Sequence, residues 1–273
     1  GTIQGGTMTA FITYSMQIVM AFLMITMFSV MLPRASVSAE RIDEVLNTKV
    51  SIEDKPDTKA NSVANGEVAF EHVSFAYPGA KENVLEDISF VAKTGQTTAI
   101  IGGTGSGKTT LVNLIPRFFD VTKGKVMVDG TDIREMSQES LREAIGYVPQ
   151  KGVLFSGTIA SNLRYGKEDA TKEQVMDAAR IAQAKEIIDG KKDGLDSAIA
   201  QGGSNVSGGQ KQRFSIARAI VKDPKIYIFD DSFSALDYKT DAILRRELSK
   251  KTKEAAVIIV AQRISTILHA EQI

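Results

Sequence analysis

One short stretch constrains the fold more than any other: Gly102, Gly103, Thr104, Gly105, Ser106, Gly107, Lys108 and Thr109 match the spacing G-x4-G-K-S/T in full. Glycines let the backbone curl until successive N–H groups point into one concavity, and a helix opening at Gly107 adds its positive end, so the stretch is an anion nest. A β-branched run before it (residues 97–101) and an apolar helical run after it (residues 111–115) supply the strand–loop–helix setting that the motif requires. In that setting Lys108 reaches the outer phosphates of ATP and the Thr109 hydroxyl ligates Mg²⁺, with Thr110 closing the nucleotide-binding stretch. The metal needs an acidic partner, and the run Ile226, Tyr227, Ile228, Phe229, Asp230 places Asp230 at the end of a buried strand.

The rest of the chain fits an α/β fold. Strand-like runs cover residues 68–75, 88–93 and 97–101, and two nearly continuous apolar runs, 226–229 and 256–260, read as parallel strands buried on both faces. Helical stretches at 172–189 and 240–251 alternate with them, which argues for a parallel sheet covered on both sides. Lys plus Arg and Asp plus Glu both number 33, so no overall field favours nucleic acid, and nucleotide binding must come from a local site. With no cysteine and only His72 and His269, a zinc site or a disulfide framework is excluded.

Before this region lies a different kind of sequence. No residue from 8 to 32 is charged, and Phe11, Ile18, Phe22, Ile25 and Phe28 spread around every face of a helix. Such a run reaches roughly 37 Å, enough for a bilayer core of about 30 Å, and a signal peptide would have a basic leader that residues 1–7 lack. Arg34, Arg41 and Lys49 then place the following segment on the cytoplasmic side. Val37, Ile42, Val45 and Leu46 keep helical spacing past Pro33. Three regions are expected: a last transmembrane helix with its cytosolic extension over 1–46, a linker over 47–65, and a globular domain from Gly66 to Ile273.

Ser207, Gly208, Gly209 and Gln210, followed by Lys211, Gln212, Arg213 and a helix through Val221, resemble the signature motif of ABC transporter ATPases. Further residues match that family in order: Tyr77 the aromatic that stacks on adenine, Gln150 the glutamine that contacts Mg²⁺ and the attacking water, and Ser234, Ala235, Leu236 and Asp237 the D-loop. The resemblance covers residues 67–270. It implies a P-loop NTPase domain with a parallel-sheet core, an antiparallel β subdomain and a helical subdomain. It also implies a head-to-tail dimer in which each ATP lies between one chain's P-loop and the other chain's signature motif. The preceding helix, with Ser38, Glu40, Arg41, Ile42 and Leu46, looks like the end of an exporter's membrane domain.

Two positions depart from the family pattern. Where the family usually has the catalytic Glu after Asp230 stands Asp231, and where it usually has a γ-phosphate-sensing His stands Gln262. Residues 198–203 also drift from the family's TEVGERG-like stretch. The pattern resembles the degenerate-site subunit of a bacterial heterodimeric ABC exporter: ATP and Mg²⁺ bound at Lys108, Thr109, Gln150 and Asp230 are turned over slowly, while Ser207–Gln210 complete a non-identical partner's catalytic site. That implies an inner-membrane protein with its ATPase domain in the cytoplasm, a transported substrate, and no nucleic-acid partner. The alternatives are a homodimeric half-transporter and a regulatory module that binds nucleotide without hydrolysis; a non-transport ABC protein lacks a membrane span. Since the chain begins without Met and stops at Ile273, it is expected to be a fragment of a longer polypeptide.

Overall fold

A computed structural model describes residues 5–56, 58, 62–262 and 267–273. The chain divides into two compact units, Gly1–Glu53 and Asp54–Ile273. The first is a single helix, α1 (Gly5–Leu46), of 42 residues with no buried side chain. It runs on through Pro33, as the helical spacing beyond that residue predicts. Its hydroxyls turn inward on the backbone: Thr13 donates to Thr9 O (2.9 Å), Thr26 to Phe22 O (2.9 Å) and Ser29 to Ile25 O (2.9 Å). Polar groups satisfied within the helix suit a segment that is long and apolar enough to cross a membrane.

In the second unit a parallel sheet has the order β3 (Thr97–Ile101), β10 (Ala256–Ala261), β9 (Ile226–Asp230), β6 (Ile145–Val148). Every residue of β9 and β10 is buried, which explains their unbroken apolar sequence. Alternate side chains serve two cores. Ile226, Ile228, Ile258 and Val260 join one with α2 (Lys108–Leu114) and an antiparallel sheet of β2 (Leu85–Ala92), β1 (Val68–Phe75), β4 (Lys123–Val128) and β5 (Thr131–Asp132). Tyr227, Phe229, Val257 and Ile259 join the other, with α7 (Gly208–Lys222), α8 (Tyr238–Lys251) and a helical group of α4 (Ile159–Arg164), α5 (Lys172–Ile181) and α6 (Lys185–Asp189). The helix α3 (Gln138–Glu143) leads into β6, and β7 (Gly157–Thr158) pairs with β8 (Ala198–Ile199).

Two expectations need correction. The helical run 172–189 is broken: Gln183 takes a left-handed φ of 56°, and Arg213 Nη1 donates to its carbonyl at 2.8 Å, so the chain turns between α5 and α6. The strand expected at 88–93 starts earlier, because Leu85 pairs with Phe75 and is itself buried. Within the stretch 47–65, expected as a linker, the described residues Asp54, Ala64 and Asn65 hydrogen-bond to the domain. The Asp54 carboxylate accepts from Gln138 N (3.1 Å) and Gln138 Nε2 (3.1 Å), and Asp129 accepts from the N–H groups of Ala64 and Asn65 (2.9 Å each). Charge in that stretch therefore ties the chain to the domain, and the compact unit begins at Asp54.

Candidate functional site

The phosphate loop is built where β3 ends. Gly107 caps α2 in the left-handed region (φ 87°, ψ 8°) with no side-chain cap, so the first N–H groups of that helix remain open to an anion. Glycine is required there, since a Cβ would lie 3.0 Å from Leu85 Cδ2 and 3.3 Å from Val84 O in addition to the positive φ. Lys108 spans the loop: its Nζ donates to Gly102 O (2.8 Å) and Gly103 O (2.6 Å) and lies 3.4 Å from Ser106 Oγ.

Above the loop is a cavity of about 290 Å³ that brings Lys108 and Thr109 together with Gln150, Asp230, Asp231 and Gln262. Thr109 Oγ1 donates to Asp230 Oδ1 at 3.1 Å. Tyr147 is hydrogen-bonded to Asn113 Oδ1 (2.9 Å) and lies 3.5 Å from Asp230 Oδ2. Burial pushes the Asp230 carboxyl up, the Thr109 hydrogen bond pulls it back, and the neighbouring Asp231 charge adds to the upward push. Burial first, then Asp230, raises the Tyr147 phenol above its ordinary range, so it stays a donor.

Asp231 stands in the left-handed region (φ 47°), with its N–H on Val260 O at 3.0 Å. Its Oδ2 accepts from two amides, Gln150 Nε2 at 3.1 Å and Gln262 Nε2 at 2.9 Å. Tyr77 does not line the cavity. Its hydroxyl is hydrogen-bonded to Thr110 Oγ1 (2.9 Å), and its half-exposed ring packs edge-on against Phe75 and Phe119. His269 lines a different groove, beside Tyr238 and Arg245.

The residues 207–210 are not among those lining the cavity either. Ser207 is the N-cap of α7 in a reciprocal capping box with Gln210: Gln210 N donates to Ser207 Oγ (3.3 Å) and Ser207 N to Gln210 Oε1 (3.1 Å). Ser207 and Gly208 are exposed. A Cβ on Gly209 would lie 3.3 Å from Ala235 O, so the helix start rests on the loop 234–237. Within that loop Ser234 Oγ donates to Asp231 O (2.9 Å), Leu236 is buried, and Asp237 caps α8 through Thr240 N (3.0 Å). The Thr240 hydrogen bond holds the Asp237 carboxyl below its ordinary range.

Sequence reasoning missed Val84, Asn113 and Tyr147. Asn113 lies one helical turn beyond Thr109, a spacing that could have flagged it. Tyr147 needed the pairing of β6 with β9, in which it sits opposite Ile228.

The family model for ABC transporters matches residues 85–234. An uncharacterized ABC transporter ATP-binding protein of Mycobacterium tuberculosis is 50% identical over 278 residues, covering 100% of this chain and 47% of the relative. An ATP-dependent lipid A-core flippase of Desulfotalea psychrophila is 37% identical over 273 residues, covering 100% of this chain and 47% of the relative. The solved structure of a bacterial Atm1-family ABC exporter with ATP bound superposes with a TM-score of 0.82 at 33% identity, over 95% of this chain and 45% of that one. The chain thus spans about half the length of the curated relatives it matches. Phosphate loop, buried Asp230, fold and these likenesses agree: the chain belongs to the ABC transporter family.

Proposed function

We propose that this chain is the ATP-binding part of one subunit of a heterodimeric ABC exporter, that its own site holds Mg-ATP and turns it over slowly, and that its residues 207–210 complete the catalytic site of a non-identical partner. The observation that carries the reading is the state of Asp231, whose Oδ2 accepts from Gln150 at 3.1 Å and Gln262 at 2.9 Å. A water-polarising carboxylate needs an acceptor oxygen facing the terminal phosphate. Asp231 has one methylene less reach than Glu, and one of its oxygens is already engaged by two donors. Gln262 can donate a hydrogen bond but cannot carry charge or relay a proton.

The donor set fits Mg²⁺. Thr109 Oγ1 and Asp230 Oδ1 are 3.1 Å apart, the separation of neighbouring oxygens on an octahedral ion with bonds of about 2.1 Å. Gln150 keeps its Oε1 for the same ion while its amide holds Asp231. The ion, when bound, neutralises phosphate charge. The protein's part is to seat the phosphates in the glycine loop, with Lys108 exchanging its hold on Gly102 and Gly103 for the outer phosphates. Helix α1 crosses the membrane, and Arg34, Arg41 and Lys49 keep the ATPase domain on the cytoplasmic side. Export of a substrate then follows from ATP-driven closing of the two ATPase domains.

Two substitutions in the full-length transporter test this. Asp231→Asn leaves turnover within about twofold, whereas Ser207→Arg, which blocks the partner's site, cuts it on the order of a hundredfold. The reverse ranking overturns the assignment. So does vigorous turnover by the purified transporter with this polypeptide as its only subunit type.

A further inference from the structure

At the end of the parallel sheet opposite Asp230, Lys225 and Ala255, the residues that lead into β9 and β10, line a cavity of about 320 Å³ together with Tyr227 of β9. It shares no lining residue with the cavity over the phosphate loop and lies roughly one strand length, about 13 Å, from it. Its wall carries Lys225, Lys250, Lys251 and Lys253 against Asp223 and Glu254, an excess of two positive charges.

Two of these lysines have ordinary structural reasons. Lys250 and Lys251 stand in the last turn of α8, where they complement the helix dipole, and they pair with Glu247 (2.7 Å) and Asp223 (2.9 Å). Lys225 and Lys253 have no ion pair among the described residues.

The back wall is Tyr227, only 1% exposed, and its hydroxyl is buried with no hydrogen-bond partner among the described residues. Packing does not require that oxygen: the ring stacks on Phe229 at 6.1 Å between centroids, and a phenylalanine would do the same. A buried hydroxyl without a partner carries its full desolvation cost, so such a group calls for an explanation. Burial, with Asp223 adding to it, holds the phenol well above its ordinary range, which keeps it an O–H donor.

We propose that this cavity binds a phosphomonoester dianion, with Lys225 and Lys253 as counter-charges and the Tyr227 hydroxyl donating to a phosphoryl oxygen. Lys250 and Lys251 are taken up by Glu247 and Asp223, so the positive charges open to a group carrying about −1.5 to −2 charge near neutral pH are those of Lys225 and Lys253. The volume, at the small end of ligand pockets, leaves room for a modest organic group beyond the phosphoryl.

Thermal unfolding of the full chain in detergent tests this, with the phosphate-loop cavity kept filled by a non-hydrolysable ATP analogue. Inorganic phosphate and a water-soluble short-chain phosphatidic acid form two arms, and the responding arm tells free phosphate from a lipid headgroup. At about ten times the dissociation constant the wild type gains roughly 3–6 °C in at least one arm. Tyr227→Phe loses the gain, as does Lys225→Gln combined with Lys253→Gln. The general salting effect of phosphate is common to all variants, so the difference between them is the readout. Without anion, Tyr227→Phe melts at or above the wild type, because it removes an unpaired buried hydroxyl. Equal shifts in wild type and variants, no shift in either arm, or a Tyr227→Phe protein melting well below wild type without anion each overturn the proposal.

Discussion

Replacing Asp231 by Glu in a Gln262→His background raises ATP turnover at this chain's own site and lowers its stability. The backbone at Asp231 cannot advance toward the nucleotide, since its N–H is on Val260 O (3.0 Å) and its carbonyl accepts from Ser234 Oγ (2.9 Å). The missing reach is therefore a side-chain matter, one C–C bond of about 1.5 Å. Misplacement by an ångström costs on the order of a hundredfold, so the gain is about ten- to a hundredfold, or roughly 1.4–2.7 kcal/mol off the barrier. Removing the Gln262 amide also frees Asp231 Oδ2 from one of its two donors. The cost comes from the backbone: φ at 231 is 47°, a region that Asp tolerates better than Glu. About 1 kcal/mol of strain lowers Tm by roughly 2–4 °C. A coupled turnover assay at saturating Mg-ATP and a thermal melt of the same full-length preparation read both effects. Unchanged turnover with ATP still bound would refute the claim that reach and the amide clamp limit this site.

Gly107→Ala abolishes tight ATP binding and destabilises the domain by about 1–2 kcal/mol, because φ is 87° and the new Cβ would meet Leu85 at 3.0 Å; equilibrium binding of a fluorescent ATP analogue and a denaturant titration check this. Asp230→Asn stabilises the nucleotide-free protein at neutral pH while weakening Mg-ATP binding. The sign follows from its raised carboxyl: the folded state binds the proton more tightly than the unfolded one, so stability falls as pH rises from the unfolded through the folded pKa, and the penalty is full above that window. A melt series across acid to neutral pH should show the variant's advantage growing with pH; an advantage that shrinks contradicts the burial argument. Ser207→Ala removes the acceptor for Gln210 N–H (3.3 Å) and costs about 1 kcal/mol. It appears as faster hydrogen exchange at Gln210, and unaltered protection there would mean the cap is not holding the helix start.

What was legible in the sequence is what local chemistry decides. The strand–loop–helix setting of the phosphate loop marks β3, and full burial of β9 and β10 leaves unbroken apolar runs, so the sequence runs match these three strands almost to the residue. β6 was not, because Ile145, Gly146, Tyr147 and Val148 show neither alternation nor a long apolar run. The break at Gln183 was hidden for a different reason: Arg213 holds the Gln183 carbonyl from 30 positions away in sequence, and no local signal encodes that partner.

The site itself needed the sheet. β3, β10, β9 and β6 run parallel, so all four end at one edge, and ligands of open α/β sheets lie beyond the carboxyl ends of the strands. Gly102 follows β3, Gln150 lies just past β6, Asp231 follows β9 and Gln262 follows β10. The register Val260 opposite Asp230 brings Asp231 and Gln262 within hydrogen-bond reach, although 31 positions separate them. The sequence marked both as departures from a family pattern without showing that they touch. Their contact joins the two departures into one arrangement: Gln262 donates to the carboxylate whose reach is already shortened, so replacing either residue alone leaves the other in place. The two effects are therefore coupled, and a double-mutant cycle over Asp231→Glu and Gln262→His gives a combined gain in turnover that departs from the product of the single gains.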